Sequence, residues 1–518
     1  MSVINRDNPM ILNKFSLRSP LMTLVGIFAL VSSAPSHSHS FGVVYSLPLP
    51  FHLYAWGAAA ALVCSFIVVA FVMSYSQLQT GTGPWKKDLS NSKLLIFARR
   101  WRILQQLQLL SIAALLLCIA TGLFGNKSPY GNFNMTFFWI VVMLGFSYVS
   151  ALFGNVYAAI NPFMLLCRLL DKMISFDRPR LGYDPRLAYW PALLFYFVFI
   201  WIELFAGTSP YFLSVMLLCY TLISFIGVAL VGSQAWFRYC DFFSVFFRLL
   251  ALMSPVNYIP SEGIGPTRRA SVIELRRPFS GLLEQSAEHI SLLVFILFML
   301  SSTAFDGLHD TIIWKQFFWL DLYHGFLQYY TSENPFRAYA AMSELYGYWQ
   351  VTWLLLSPFI YLAILFAVIG LSKVLMRSTL SIKTLALKMA YSLLPIALVY
   401  HIAHYYTLLQ TQGIKIISLA SDPFGWGQNW FGTAKWLQRV FIPDASIIWH
   451  VQLGLIVVGH VISVYLAHKV VFADANTHIG TRIGTNNVTR MNLSQLPMLF
   501  LMIGFTASGL WIMSQPVA

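Results

Sequence analysis

Charge is what this sequence has least of. Asp, Glu, Lys and Arg make up 10% of its 518 residues, where a soluble globular chain carries about 25%. With 58% hydrophobic residues, the chain cannot cover a water-facing surface. That excludes disordered, collagen-like and ordinary soluble classes and leaves a polytopic membrane protein. Cysteine is scarce too. The five, Cys64, Cys118, Cys167, Cys219 and Cys240, form no CxxC pair and lie in or beside apolar stretches, so they read as small buried hydrophobes rather than a disulfide framework. Also missing are a Walker A lysine loop, a GxGxxG opening a helix, a GxSxG elbow and an HExxH pair. No catalytic motif is recognisable, so the chain is not expected to be an enzyme, and an ATP-driven pump lacks its soluble domain.

What is present is a series of apolar runs. After an N-terminal one come ten more, over approximately 53–74, 103–124, 135–160, 189–206, 211–236, 288–303, 350–372, 385–408, 446–467 and 494–515. Each comes close to the roughly 17–25 residues that a spanning helix needs. The expected fold is an all-α integral membrane protein of about ten transmembrane helices. The expected division is a signal peptide or signal anchor (1–34), a His-containing outer segment (35–52) and one helical bundle (53–518). Ser32-Ser33-Ala34 has the small residues of a cleavage site, and Pro35 directly behind it opposes cleavage.

The net charge of +14 is an orientation signal rather than a nucleic-acid footprint. If Arg6, Lys14 and Arg18 are cytoplasmic, strict alternation places 27 of the 33 Lys and Arg in inner loops, among them Arg99, Arg100 and Arg102, Arg178, Arg180 and Arg186, and Arg268, Arg269, Arg276 and Arg277. A miscounted span would invert every later loop and scramble this bias. The N-terminus is then cytoplasmic before any cleavage and the C-terminus periplasmic, in a bacterial inner membrane. Lipid is the obligatory partner, with membrane complex partners open.

The inner loop 237–287 opens with Asp241 to Leu250, an apolar segment with charges seven residues apart. That suits a helix lying in the membrane interface. The outer loop 304–349 carries Trp314, Phe317, Phe318, Trp319, Tyr329 and Tyr330, an aromatic belt or a re-entrant segment. Asn161-Pro162-Phe163, Asn334-Pro335-Phe336 and Asp422-Pro423-Phe424 mark stops and turns, because Pro drives the residue before it out of the helical region. Their flanks do not match and their intervals differ, so no internal repeat is expected.

Candidate chemistry rests on a few polar side chains in apolar surroundings. Glu203 is the one carboxylate placed well inside an expected span, and such residues mark functional sites by default. His401 and His404 share a helix face, and His450 falls at similar depth on the next, antiparallel span. Imidazoles gathered at one depth could hold copper, zinc or a b-type haem. Asp422 could add an oxygen ligand or a supporting acceptor, and His37 and His39 could capture a metal at the outer face. His460, in the middle of its span, extends a polar path inward with Glu203. The leading expectation is transport or handling of a small solute, a transition-metal ion foremost. A haem- or quinone-linked redox or assembly subunit is the alternative, and a scaffold with purely structural histidines the third reading.

Three stretches together, Gly42 to Pro50, Phe305-Asp306-Gly307-Leu308 and Asp422-Pro423-Phe424-Gly425-Trp426-Gly427, give the chain a look that resembles an uncharacterised family of bacterial polytopic inner-membrane proteins. The resemblance spans most of the chain. It implies a bacterial inner-membrane setting and brings no activity, cofactor or site residue. The charge pattern carries its own prediction: a reporter enzyme fused behind Ala518 is active only on the periplasmic side, and cytoplasmic activity would break the ten-span count.

Overall fold

The computed structural model describes residues 50–76, 85–174, 177, 179–259, 272–436, 444–478 and 492–516. The N-terminal signal or anchor segment, His37 and His39 lie outside them. In chain order the elements are α1 (Phe51–Ser76), β1 (Lys86–Asp88), α2 (Lys93–Arg100), α3 (Ile103–Phe124), α4 (Phe133–Phe153), α5 (Val156–Ile160), α6 (Pro162–Ile174), α7 (Trp190–Phe205), α8 (Pro210–Val231), α9 (233–240) and α10 (Phe242–Ala251). They continue with β2 (Val256–Ile259), β3 (Val272–Arg276), α11 (Ile290–His309), α12 (312–325), α13 (Pro335–Met376), α14 (Ile382–Ser421), α15 (Ala445–His478) and α16 (Leu496–Ser514).

The chain is an all-α membrane protein. Among the described residues nine helices are long and apolar enough to cross a bilayer, and they coincide with nine of the ten expected spans. The tenth, expected over 189–206, is α7. Its 16 residues reach about 24 Å at 1.5 Å per residue, short of a hydrocarbon core about 30 Å thick.

One small antiparallel sheet, in the order β1-β3-β2, caps one end of the bundle, called here the sheet end. Lys86 faces Arg276, and Val256 faces Leu275. The sheet joins two segments that the charge count assigns to the same side of the membrane. Arg276, 4% exposed, donates from Nε to the Ser254 carbonyl at 3.0 Å and from Nη2 to the carbonyls of Ala251 and Leu252 at 3.3 and 3.2 Å. It thereby satisfies carbonyls that the last turn of α10 leaves open.

Helix α10 corrects an expectation. Its aromatic face is not left open to the acyl boundary: Phe242, Phe243, Val245, Phe246, Phe247, Leu249 and Leu250 are all buried by protein. An amphipathic pattern cannot say whether its apolar face meets lipid or other helices, and here α10 is the returning leg of a helical hairpin packed inside the bundle. Helix α4 ends at the sheet end, where Ser254 Oγ donates to the Leu152 carbonyl at 2.9 Å. Gly154 turns the chain, and α5 climbs back to Asn161. Gln108 and Ser111 of α3 donate to the carbonyls of Ala159 and Ile160 at 2.8 and 2.6 Å. Ser111 lies eight residues beyond Ile103, so the apex stands about 12 Å along α3. Carbonyls freed by a helix break at that depth need protein donors, because lipid has none. From the apex α6 returns toward the sheet end. The segment 232–251 repeats the manoeuvre, with α9 rising to Asp241 and α10 descending.

The repetition is visible in the chain and corrects the absence of a repeat. Leu123-Phe124-Gly125-Asn126-Lys127-Ser128-Pro129-Tyr130 matches Leu204-Phe205-Ala206-Gly207-Thr208-Ser209-Pro210-Tyr211. Ala151-Leu152-Phe153-Gly154 matches Ala229-Leu230-Val231-Gly232, and the apices Asn161 and Asp241 are each followed seven residues later by Arg-Leu-Leu. The Pro-Phe tripeptides concealed the match because the second copy has Phe242 where the first has Pro162. Equivalent residues touch. Asn161 Nδ2 donates to Asp241 Oδ2 at 3.1 Å, and Phe163 stacks on Phe243 with centroids 5.9 Å apart. Self-complementary contact between equivalents, with both returning legs running the same way, describes two parallel copies of one unit.

Gly154 (φ 85°, ψ −167°) and Gly232 (φ 84°, ψ 154°) turn the two hairpins in a region that is essentially glycine-only, where another residue costs about 1–3 kcal/mol. A Cβ on Gly154 would stand 2.5 Å from the Val256 carbonyl oxygen, whereas one on Gly232 meets nothing nearer than 3.5 Å. Both Ala variants are therefore expected to lower the unfolding midpoint in detergent, Gly154→Ala by clearly more. Equal midpoints for the two would contradict the contact with β2.

Candidate functional site

The hairpins form a wedge that positions two polar helices. Phe242 stacks against Tyr196 and packs on Phe199 of α7, with centroids 5.8 and 5.0 Å away, and Phe246 reaches the His401 ring of α14 at 6.5 Å. Toward the opposite, distal end of the bundle, α7 and α14 meet α11, and their ionisable side chains converge. His404 Nε2 lies 2.8 Å from Asp306 Oδ2. The Tyr405 hydroxyl lies 2.9 Å from the same Asp306 oxygen and 3.1 Å from Glu203 Oε1. Three helices thus contribute two carboxyls, an imidazole and a phenol to one continuous hydrogen-bonded cluster. Glu203 and Asp306 stand thirteen and sixteen residues into their helices, about 20 and 24 Å from the sheet end.

Proton arithmetic constrains this cluster. A carboxylate only accepts, so His404 presents its Nε2–H to Asp306. The Tyr405 phenol carries one proton and has two carboxyl neighbours. Its one proton is either shared between the two carboxyl oxygens or given to one of them, while the other carboxyl carries a proton and donates it to the phenol oxygen. Close by, His309 is buried, with Nδ1 2.8 Å from the Asp306 carbonyl and Nε2 3.7 Å from Asp310 Oδ1.

In the sequence Asp306 stands out only within the Phe305-Asp306-Gly307-Leu308 stretch and not as a candidate site residue. The polar run Ser301-Ser302-Thr303 made the sixth span end at 303 and put Asp306 in a loop. The helix instead continues to His309, because Ser302 and Thr303 face protein and Ser301 pairs with Ser357 of α13 at 2.9 Å. Tyr405 was visible only as a neighbour of the histidines.

The remaining sequence candidates separate. His401 is on the same helix as His404, edge-on to Tyr405 at 5.0 Å, and its Nδ1 has no hydrogen-bond partner among the described residues. His450 does not join them. Gln452 faces α14, donating to the Ala403 carbonyl at 2.8 Å. Residues two apart lie on nearly opposite helix faces, so His450 points away, toward Tyr54 of α1. Its Nδ1 bonds the Ser446 carbonyl at 2.6 Å and its side chain is exposed. Asp422 folds its own loop, accepting from the backbone N–H of Trp426 and Gly427 at 3.0 and 2.8 Å. His460 is buried on α15, its Nδ1 bonded to the Ile456 carbonyl at 2.8 Å. Among the described residues, no group of three or more His, Cys, Asp or Glu side chains is arranged to hold a metal ion.

No family model, curated protein or solved structure matches this chain. Replacing His404 by Leu removes a hydrogen-bonded partner from Asp306 and should destabilise the protein by about 1–3 kcal/mol. Adding Asp306→Asn to that background should recover part of the loss, read as unfolding midpoints in detergent. Strictly additive losses would show that the pair is not coupled.

Proposed function

We propose that the protein is a proton-handling membrane carrier, in which the Glu203–Tyr405–Asp306–His404 cluster binds and releases the proton that accompanies a small solute. One observation carries this reading: a single phenol between two carboxyls, with an imidazole behind one of them, inside the bundle. Ionisable groups are expensive at such depth and are kept where ions or protons are handled. The parallel repeat and its helical hairpins support the same reading, since carriers place binding residues beside discontinuous helices and repeat interfaces.

A transition metal held by His401, His404 and His450 draws less support, because His450 faces α1 and His404 is already engaged by Asp306. The haem reading loses the same pair of axial ligands. The bacterial inner membrane and the periplasmic face remain part of the proposal on the strength of the charge pattern alone.

Purified protein in vesicles loaded with a pH-sensitive dye provides the test. An imposed potential should drive protein-dependent proton entry by uncoupled turnover without the solute, cut at least tenfold by Asp306→Asn and by Glu203→Gln and left within twofold by His450→Ala. Undiminished entry in Asp306→Asn would overturn the reading.

A further inference from the structure

The segment expected to meet the acyl boundary, 241–250, has its apolar face buried by protein, and a different helix has the character it lacks. Helix α2 (Lys93–Arg100) carries four apolar residues besides Ala98, three cations and no acid. Both of its ends are defined. Ser92 Oγ accepts from the Leu95 N–H at 3.4 Å, and Arg102, in the left-handed region at φ 50°, turns the chain before α3 begins at Ile103. A left-handed residue stops a helix and redirects the chain, so α2 leaves the line of α3. Helix α3 is long and apolar enough to span. Its first residue therefore stands at the edge of the hydrocarbon, and α2, separated from it only by Trp101 and Arg102, lies at the level of the headgroups.

One face of α2 rests on protein, where Leu95 and Ala98 are half-buried. The opposite face is open among the described residues. Ile96, Phe97 and Trp101 are 52%, 52% and 60% exposed, and the two aromatic rings lie 5.9 Å apart. Steps of three and four residues share a helix face, so Lys93 and Arg100 stand on this same arc, beside the apolar side chains. From residue 88 to residue 102 the chain has four cations, Lys93, Arg99, Arg100 and Arg102, against one acid. None of the four forms an ion pair among the described residues. The acid, Asp88, accepts from the Ser90 N–H at 2.7 Å and feels the Arg99 charge.

Two observations say what covers this face. The exposed apolar surface continues onto α3, where Leu104, Leu107 and Leu110 are exposed in turn, and the outside of a spanning helix is covered by lipid. Charge then selects the lipid. An apolar face in the acyl boundary, with Lys and Arg stems reaching the phosphates, is how an interfacial amphipathic helix binds. Each cation near an anionic leaflet adds about fivefold to that binding.

We infer that α2 is a binding site for anionic phospholipid. Ile96, Phe97 and Trp101 enter the acyl boundary, and Lys93, Arg99 and Arg100 hold the headgroup phosphate, the planar guanidinium of Arg100 matching two of its oxygens. The site lies at the sheet end, apart from the distal cluster, and does not depend on what that cluster does.

Native mass spectrometry of the full chain in detergent, with equal amounts of phosphatidylglycerol and phosphatidylcholine added, tests this. The unaltered protein should retain phosphatidylglycerol over phosphatidylcholine at least tenfold. Arg100→Gln should lower that preference about fivefold, and the triple variant Lys93→Gln/Arg99→Gln/Arg100→Gln should bring the two lipids within twofold of each other. These side chains are exposed, and surface substitutions of this kind leave folding intact. Removing two other exposed cations of the sheet end, with Arg377→Gln/Lys383→Gln, should leave the preference within twofold of its original value. Inorganic phosphate in excess should not displace the lipid. Equal retention of the two lipids by the unaltered protein, or an unchanged preference in the triple variant, would overturn the inference. Displacement by inorganic phosphate would make this a free-anion site, and a dimer dispersed by Phe97→Ser would give the face to a second copy; either result overturns it as well.

Discussion

The contact between Asn161 and Asp241 is the point on which the fold turns. Two helices break inside the bundle, where no water can satisfy what the breaks expose. Each break is closed by its apex residue: Asn161 Oδ1 accepts from the N–H of Phe163 and Met164 at 2.9 and 3.2 Å, and Asp241 Oδ2 accepts from Ser244 N at 3.3 Å and Ser244 Oγ at 2.6 Å. Tyr220 donates to the other Asp241 oxygen. The side-chain donors and acceptors of both apex residues are all matched, as irregular backbone at membrane depth requires of its capping groups. The link then crosses from one copy of the duplication to the other.

From that link the distal cluster follows by packing. The aromatic side chains just past each apex, Phe163, Phe242, Phe243 and Phe246, fill the space between α4, α7, α8 and α14. Rings pack at centroid separations of about 5–6 Å, which is favourable for edge-on and offset contacts. Helix α7 is too short to span alone, so its depth is set by this packing and by Tyr189, which bonds Glu288 at 3.1 Å near the sheet end. Its far end then carries Glu203 to the level of Asp306. The aromatic wedge on one side and α11 on the other hold four half-buried polar groups in register.

Much of the architecture was legible in the chain, and the reasons for the rest are specific. Long apolar runs and basic loops revealed nine spans directly, because hydrophobic length and charge asymmetry are properties of single segments. Glu203 stood out for the same reason. Asp306 did not, since three consecutive polar residues look like a helix end unless their partners on other helices are known. Helix α10 reads the same whether lipid or protein covers it. The duplication was hidden by a single Pro-to-Phe difference at the apex and by unequal spacing, seven residues from Gly154 to Asn161 against nine from Gly232 to Asp241. His450 shows the converse limit: equal depth on neighbouring helices says nothing about which way a ring faces.

The central claim is that two broken helices are joined apex to apex. A double-mutant cycle on Asn161→Ala and Asp241→Ala, with unfolding free energies measured in detergent for both singles and the double, tests it most directly. Residues in contact within one hydrogen-bonded network couple by about 0.5–3 kcal/mol, whereas separated ones add. The account predicts coupling in that range, the double variant losing less than the sum of the singles. Strict additivity would mean that the apices do not meet.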